Sequence, residues 1–247
     1  VIVLFNMDGA FAYGDANGNA VFKDGTILNG VGLTTHIFDS AIPHFSIVLL
    51  VAITSINGQI SDADFDNLEP KLIEWRHHLH QNPELSNREF KTAEYVTSHL
   101  KSLGIEVLTG VAHTGVVGII KGNRPGKVVA LRADMDALPV TERNNLSFKS
   151  EVVSTFKGKK TGVMHACGHD AHVSILMGVA KVLTQNKDFA GIIKLIFQPA
   201  EEGGGGGREM CEDGLMERFG TTFSNKTGHG TTLGRSFQAF RAPTKIL

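Results

Sequence analysis

Short aliphatic and β-branched runs at Ile105–Leu108, Val116–Ile120, Val128–Arg132 and Ile192–Phe197 leave this chain few architectures. They are set off by Gly or Pro and are nearly continuously apolar, the pattern of sheet strands covered on both faces rather than of surface helices. The first three are expected in the interior of a sheet. Between and around them lie stretches with apolar residues at helical spacing. Leu68, Leu72, Ile73, Trp75 and Leu79 predict a helix over Asn67–Gln81, with Pro70 tolerated in the first turn because no amide partner is needed there. Phe90, Ala93, Val96, Leu100 and Leu103 predict a second helix starting near Asn87, and Gly104 supplies the left-handed residue that commonly ends one. Ala171–Leu183 predicts a third, and a further helix follows Gly203–Gly207, carrying Met210, Leu215 and Met216. The polar stretch Thr141–Lys160 is expected to be a loop. Strands alternating with helices indicate an α/β domain, a layered sheet with helices on both faces.

With 247 residues the chain has room for one large domain or two modest ones. Its 42% apolar and 20% charged content excludes disorder as the main state. Lys and Arg number 24 against 25 Asp and Glu, a net charge of -1. That balance gives no electrostatic footprint for nucleic acid or anionic lipid, so the expected partners are small molecules or proteins. Residues 1–44 show no sustained period and are left unassigned. The apolar run Phe45–Ile56 is shorter than the roughly 20 residues of a spanning helix and has the length of a signal-peptide core. A buried strand fits it equally. If the native start lies near His36 or Pro43, residues 45–60 would direct the protein to the periplasm or outside the cell; otherwise it is cytoplasmic.

Three motifs carry chemistry. His165-Ala-Cys-Gly-His-Asp-Ala-His172 precedes a predicted helix, where a sheet's loops gather over a site. Cys167 and His169 are soft-to-borderline donors suited to a divalent metal, and Gly168 between them lets both converge. A capped helix start with incidental histidines is the plainer reading, and Cys167 as a nucleophile a third. The adjacent acids Glu201 and Glu202 follow a buried strand. Neighbours on an extended segment point apart, so Glu202 can hold metal while Glu201 acts as general base toward a metal-activated water. A solvated acidic turn is the alternative. The run Gly203–Gly207 lacks the Lys-Ser/Thr of a P-loop and the spacing of a dinucleotide fingerprint. Asp134 and Asp136 stand at a strand end, and Asp136, further out, is the better candidate to accept a hydrogen bond from a ligand imidazole. Both could instead cap a turn. His77, His78 and His80 diverge on a helix and are expected to be surface or packing residues.

Taken together, the blocks Trp75–Ser86, Arg132–Pro139, His165–His172 and Gln198–Gly205 resemble, in order, the amidohydrolase branch of the aminoacylase and carboxypeptidase metallopeptidase family. That branch includes hippurate hydrolases and plant indoleacetyl-amino acid hydrolases. The resemblance covers about Asp66–Phe219 and, with the motifs above, sets the expected domain division: a catalytic domain over 61–220 and a non-family tail over 221–247. It implies a zinc-peptidase-like catalytic domain that hydrolyses N-acyl amino acids at a centre of two divalent ions, Mn or Zn. Cys167, His169 and Glu202 would be ligands and Glu201 the base. A further family histidine has its nearest counterpart in His229, which sits in a polar rather than an apolar context. The family continues into an inserted dimerisation or lid domain and then a last histidine ligand, whereas this sequence ends at Leu247. The expectation is therefore a catalytic domain incomplete at its C-terminus, without the inserted domain that would make a family-like homodimer, and truncated or frame-disrupted. A metal-dependent amidohydrolase is the expected function; an inactive remnant that binds metal weakly, or an interaction protein, is the alternative.

Overall fold

The computed structural model describes residues 67–185 and 187–215, together with the backbone of four short strands, β1 (Phe5–Asn6), β2 (Ala12–Gly14), β3 (Ala20–Phe22) and β4 (Ile27–Leu28). The apolar run 45–60, Met216, His229 and the tail 221–247 lie outside the described residues. The described part runs α1 (Glu69–Gln81), α2 (Phe90–Ser102), β5 (Glu106–Val111), β6 (Gly115–Lys121), β7 (Arg124–Asp134), β8 (Val153–Phe156), β9 (Lys159–Gly162), α3 (His169–Gln185), β10 (Ala190–Gln198) and α4 (Gly206–Glu212). No helix among the described residues is long and apolar enough to cross a membrane.

Five strands form one mixed sheet in the order β1-β7-β10-β6-β5. β7 and β10 are parallel, and the other neighbours are antiparallel. Side chains alternate across β10, as the period of an extended strand requires. Ile193, Leu195 and Phe197 join Val116, Ile120 and Leu131 in the larger core, which α1, α2 and α3 cover with Trp75, Leu79, Val96, Leu100, Leu176 and Met177. Ile196 faces the other way with Val117 and Ala130, and meets Met210 of α4 and Leu215. The sheet is thus layered between three helices and one short helix.

The helices keep the expected places with shifted ends. Helix α1 starts at Glu69, two residues after the expected Asn67, with Pro70 in its first turn. Asn87 has φ +61, so the chain is not yet helical there, and α2 begins at Phe90. Gly104, at φ +70, ends the helix: its amide donates to Lys101 O, and that of Ile105 to Leu100 O. Helix α3 starts at His169 rather than Ala171, which puts two histidines of the His165–His172 segment on its first turn. Helix α4 carries Met210 but ends at Glu212, leaving Leu215 buried just beyond it.

Two expectations are corrected. Ile105–Leu108 belongs to the end strand of the described sheet rather than its interior, which is why Glu106, Thr109 and Gly110 are exposed. The expected loop 141–160 contains β8 and leads into β9, a hairpin whose turn places Lys157 and Gly158 at φ +48 and +78. Its strands are exposed and mostly polar, so no apolar alternation marks them; the two-residue turn ending in Gly is the signal present in the sequence.

Leu195 is fully buried at the centre of the sheet. Leu195→Ala is expected to lower unfolding free energy by about 3 kcal/mol, read from chemical denaturation, because the cavity has little room to collapse.

Candidate metal centre

Parallel pairing of β7 with β10 ends at Asp134 opposite Gln198, and the Met135 amide still donates to Gln198 O at 2.9 Å. Both strands therefore leave the sheet side by side, Asp136 on one exit and Glu201–Glu202 on the other. The same edge receives the start of α3. Gly168, at φ +83, turns the chain into that helix, a conformation that costs a residue with a Cβ.

Cys167, His169 and Glu202 meet here, their ligand atoms all within 4.8 Å of one another. His169 Nε2 lies 4.0 Å from Glu202 Oε1, and that oxygen is buried without a hydrogen-bond partner among the described residues. His169 Nδ1 donates to the main-chain oxygen of Asp136 at 2.7 Å, which fixes the ring and aims Nε2 at the acids. A thiol, an imidazole and an orphaned carboxylate oxygen turned toward one point fit a divalent cation. Electrostatics agrees. Burial pulls the His169 pKa down, but contacts with Asp136 and Cys167 and the charges of Asp134 and Asp136 outweigh it and raise it to about 11. The imidazole carries the positive charge that this acidic corner demands, a role a bound cation would take over.

Asp136 does something other than the sequence suggests. Its carboxylate lies 3.5 Å from His169 Nδ1, whose proton goes to the backbone carbonyl instead. The two carboxylate oxygens accept the amides of Glu201 and Glu202 at 3.0 and 2.9 Å, and Oδ2 also accepts Ser86 Oγ at 2.6 Å. Placed two residues past the end of β7, the side chain reaches across to the neighbouring exit rather than to α3. Burial raises its pKa, and these hydrogen bonds with the His169 contact outweigh it, so the group stays ionised. Glu201 is half-buried, with Oε2 3.9 Å from His169 Nε2. Burial and then the Asp134 charge push its pKa up.

Asp134 takes the imidazole contact expected of Asp136, but from His172, whose Nδ1 bonds to its Oδ1. Arg132 Nη1 lies 3.1 Å from Asp134 Oδ2, and Arg132 Nε donates to Gln198 Oε1 at 2.8 Å. Burial raises the Asp134 pKa, yet Arg132 and the two imidazoles drive it far below the ordinary carboxylate range. Asp134, His169 and His172 also lie within 4.8 Å of one another. With a guanidinium on the carboxylate and an imidazole bonded to it, this triad works better as a charge-balanced support than as a ligand set. Arg132 and His172 lie within the motifs read from the sequence but have no role of their own there, although His172 follows His169 at the three-residue spacing that puts both on one helix face.

The other described histidines stay outside both ligand sets. His77 stacks on Phe148 and His78 on Tyr95, while His165 is buried and held neutral by burial, its pKa down to about 4. His80 sits between two acids, Nδ1 2.8 Å from Asp170 and Nε2 2.9 Å from Glu142, and so ties α1 to the start of α3. Among the glycines, a Cβ on Gly206 would lie 1.9 Å from Pro199 O, and one on Gly204 would lie 2.5 Å from Ala200 Cβ. These glycines let the chain fold back on the Glu201–Glu202 turn, with no need to invoke phosphate.

The hydrogen bond to Asp170, chiefly, raises the His80 pKa above 6.5, so its stabilising effect is complete below about pH 6.5 and lost as pH rises through the folded value. In thermal melts, the stability gap between wild type and His80→Gln is expected to be widest in mild acid and to narrow with increasing pH.

Comparison with known proteins places this geometry in context. The family model described as peptidase family M20/M25/M40 matches residues 130–235. Thermostable carboxypeptidase 2 of Saccharolobus solfataricus is 53% identical over 62% of this chain and 38% of its own length. Hippurate hydrolase of Campylobacter jejuni is 45% identical over 64% of this chain and 40% of its own. Among solved structures, the Bacillus subtilis YXEP protein, a dinuclear metal binding peptidase from the M20 family, superposes with a TM-score of 0.56 at 40% identity, covering 61% of this chain and 41% of that one. The chain thus spans about two fifths of the length of these relatives. Over residues 130–235 the chain matches peptidase family M20/M25/M40, and in sequence and fold it is similar to these relatives.

Proposed function

We propose that this chain carries the metal-binding part of a hydrolase that cleaves the amide bond of N-acyl amino acids. The observation that supports this most is the convergence of Cys167, His169 and Glu202, with Glu201 beside them. The names of the relatives, a hippurate hydrolase and a carboxypeptidase, point the same way.

In this reading Cys167, His169 and Glu202 hold the metal, as two Mn or Zn ions in the complete centre, with His229 a further candidate ligand. Divalent ions held there would lower the pKa of water and polarise the scissile carbonyl. Glu201 takes the proton from the attacking water. Its environment raises its affinity for that proton, and it then returns the proton to the leaving amine nitrogen, acting as base and acid in turn. Asp136 holds the Glu201 and Glu202 amides and so keeps base and ligand in fixed relation. Arg132 and His172 balance Asp134 behind His169.

Glu201→Gln removes the proton acceptor and keeps the shape. Turnover of N-benzoylglycine and other N-acyl amino acids is expected to fall about 100-fold or more, with metal content by elemental analysis unchanged. Metal lost together with activity would contradict the division of roles, and metal retained by a wild-type chain without any turnover would favour a non-catalytic metal-binding protein.

A further inference from the structure

Glu89 is a fully buried acid that the proposed chemistry does not use. It occupies the N-cap position of α2 but makes no capping bond to that helix. Its side chain reaches elsewhere. Oε1 accepts the Ala200 amide at 2.8 Å, across 111 residues of sequence, and Oε2 accepts Thr114 Oγ1 at 2.6 Å. Ala200 is a non-glycine residue at φ +51, immediately before the paired acids. The next two amides, of Glu201 and Glu202, are those held by Asp136. Three consecutive backbone N–H groups are thus received by two buried carboxylates arriving from different parts of the chain. Successive main-chain amides can receive anions, and here the protein meets them with its own carboxylates.

This arrangement fixes the direction in which Glu201 and Glu202 leave the backbone. Asp136 alone would hold their amides but leave the left-handed residue before them free to relax, and with it the path of the chain out of β10. Glu89 removes that freedom, and Thr114 in turn aims Glu89 from the β5–β6 turn.

We propose that Glu89 is a positioning residue for the metal centre: through the Ala200 amide it sets Glu202 against Cys167 and His169. The inference rests on the metal-centre reading above and extends it to a residue on a different element. A group acting at this remove typically changes metal affinity 10–100-fold when altered.

Zinc titration of the full chain against a chromophoric chelator, with a thermal melt of each variant, tests it. Glu89→Asp keeps the charge but is one methylene too short to reach both partners, and is expected to weaken zinc binding about 10–100-fold. Glu89→Gln keeps the length and an acceptor oxygen for Ala200, and is expected to restore most of the affinity. Unchanged zinc affinity in a folded Glu89→Asp would overturn the proposal even if the melting temperature falls, since that is what a purely structural role produces. Equal losses in the Asp and Gln variants would overturn it too, because a side chain of full reach with an acceptor oxygen for Ala200 would then fail to position the turn. If Glu89→Asp does not fold, Thr114→Val removes only the hydroxyl that aims Glu89; weaker zinc binding supports the proposal and unchanged binding overturns it. Cys167→Ala and Glu202→Gln separate the two levels. If neither weakens zinc binding, the metal-centre reading fails and this inference with it; if both do and Glu89→Asp does not, only this inference fails.

Discussion

The parallel pairing of β7 with β10 is the constraint on which the site depends. It brings two strand exits together at one edge, Asp134 level with Gln198, so that whatever follows each strand must share the same small volume. Ligands in open α/β sheets gather beyond the carboxyl ends of strands for this reason. Here the two exits also bind one another, since the Asp136 carboxylate receives the amides of Glu201 and Glu202. A left-handed conformation at Ala200 costs on the order of 1 kcal/mol. It persists because the hydrogen bonds on either side leave the turn no better alternative.

Charge completes the description. Asp134, Asp136, Glu201 and Glu202 surround His169, an accumulation of negative charge that burial would penalise heavily without compensation. Three kinds of compensation are present. Arg132 and His172 neutralise Asp134, backbone amides and Ser86 satisfy Asp136, and the surrounding acids raise the His169 pKa so that its imidazole carries positive charge. Glu202 Oε1 is buried with no hydrogen-bond partner among the described residues. A divalent ion held by Cys167, His169 and Glu202 would take over the electrostatic role of the His169 proton, the coupling expected of histidine and thiolate ligands. Behind it, His80 between Asp170 and Glu142 secures the first turn of α3, so the His169 end of that helix rests on α1 rather than floating over the sheet.

Much of this was legible in the sequence, for physical reasons that differ by residue. The central strands show themselves because both of their faces are buried, and Pro70 and Gly104 mark helix ends through backbone restrictions that no tertiary context changes. The β8–β9 hairpin stayed hidden because it stands off the core and carries no apolar alternation. Cys167, His169 and Glu202 could be named as candidate ligands from their donor chemistry, beside plainer readings, and the fold brings their ligand atoms within 4.8 Å of one another. Asp136 could be placed at the site but not given its contacts, because hydrogen bonding to a backbone amide leaves no trace in residue type. Glu89 is the extreme case. It looks like any surface glutamate at a helix start, and only the fold brings the Ala200 amide to it.

The account stands or falls on a sulfur and a carboxylate sharing a cation with one imidazole. X-ray absorption at the zinc edge of the zinc-loaded chain measures this directly. The expected spectrum contains nitrogen or oxygen neighbours and a sulfur neighbour at about 2.3 Å that disappears in Cys167→Ser. A first shell of nitrogen and oxygen alone, or a sulfur signal that survives the substitution, would contradict it.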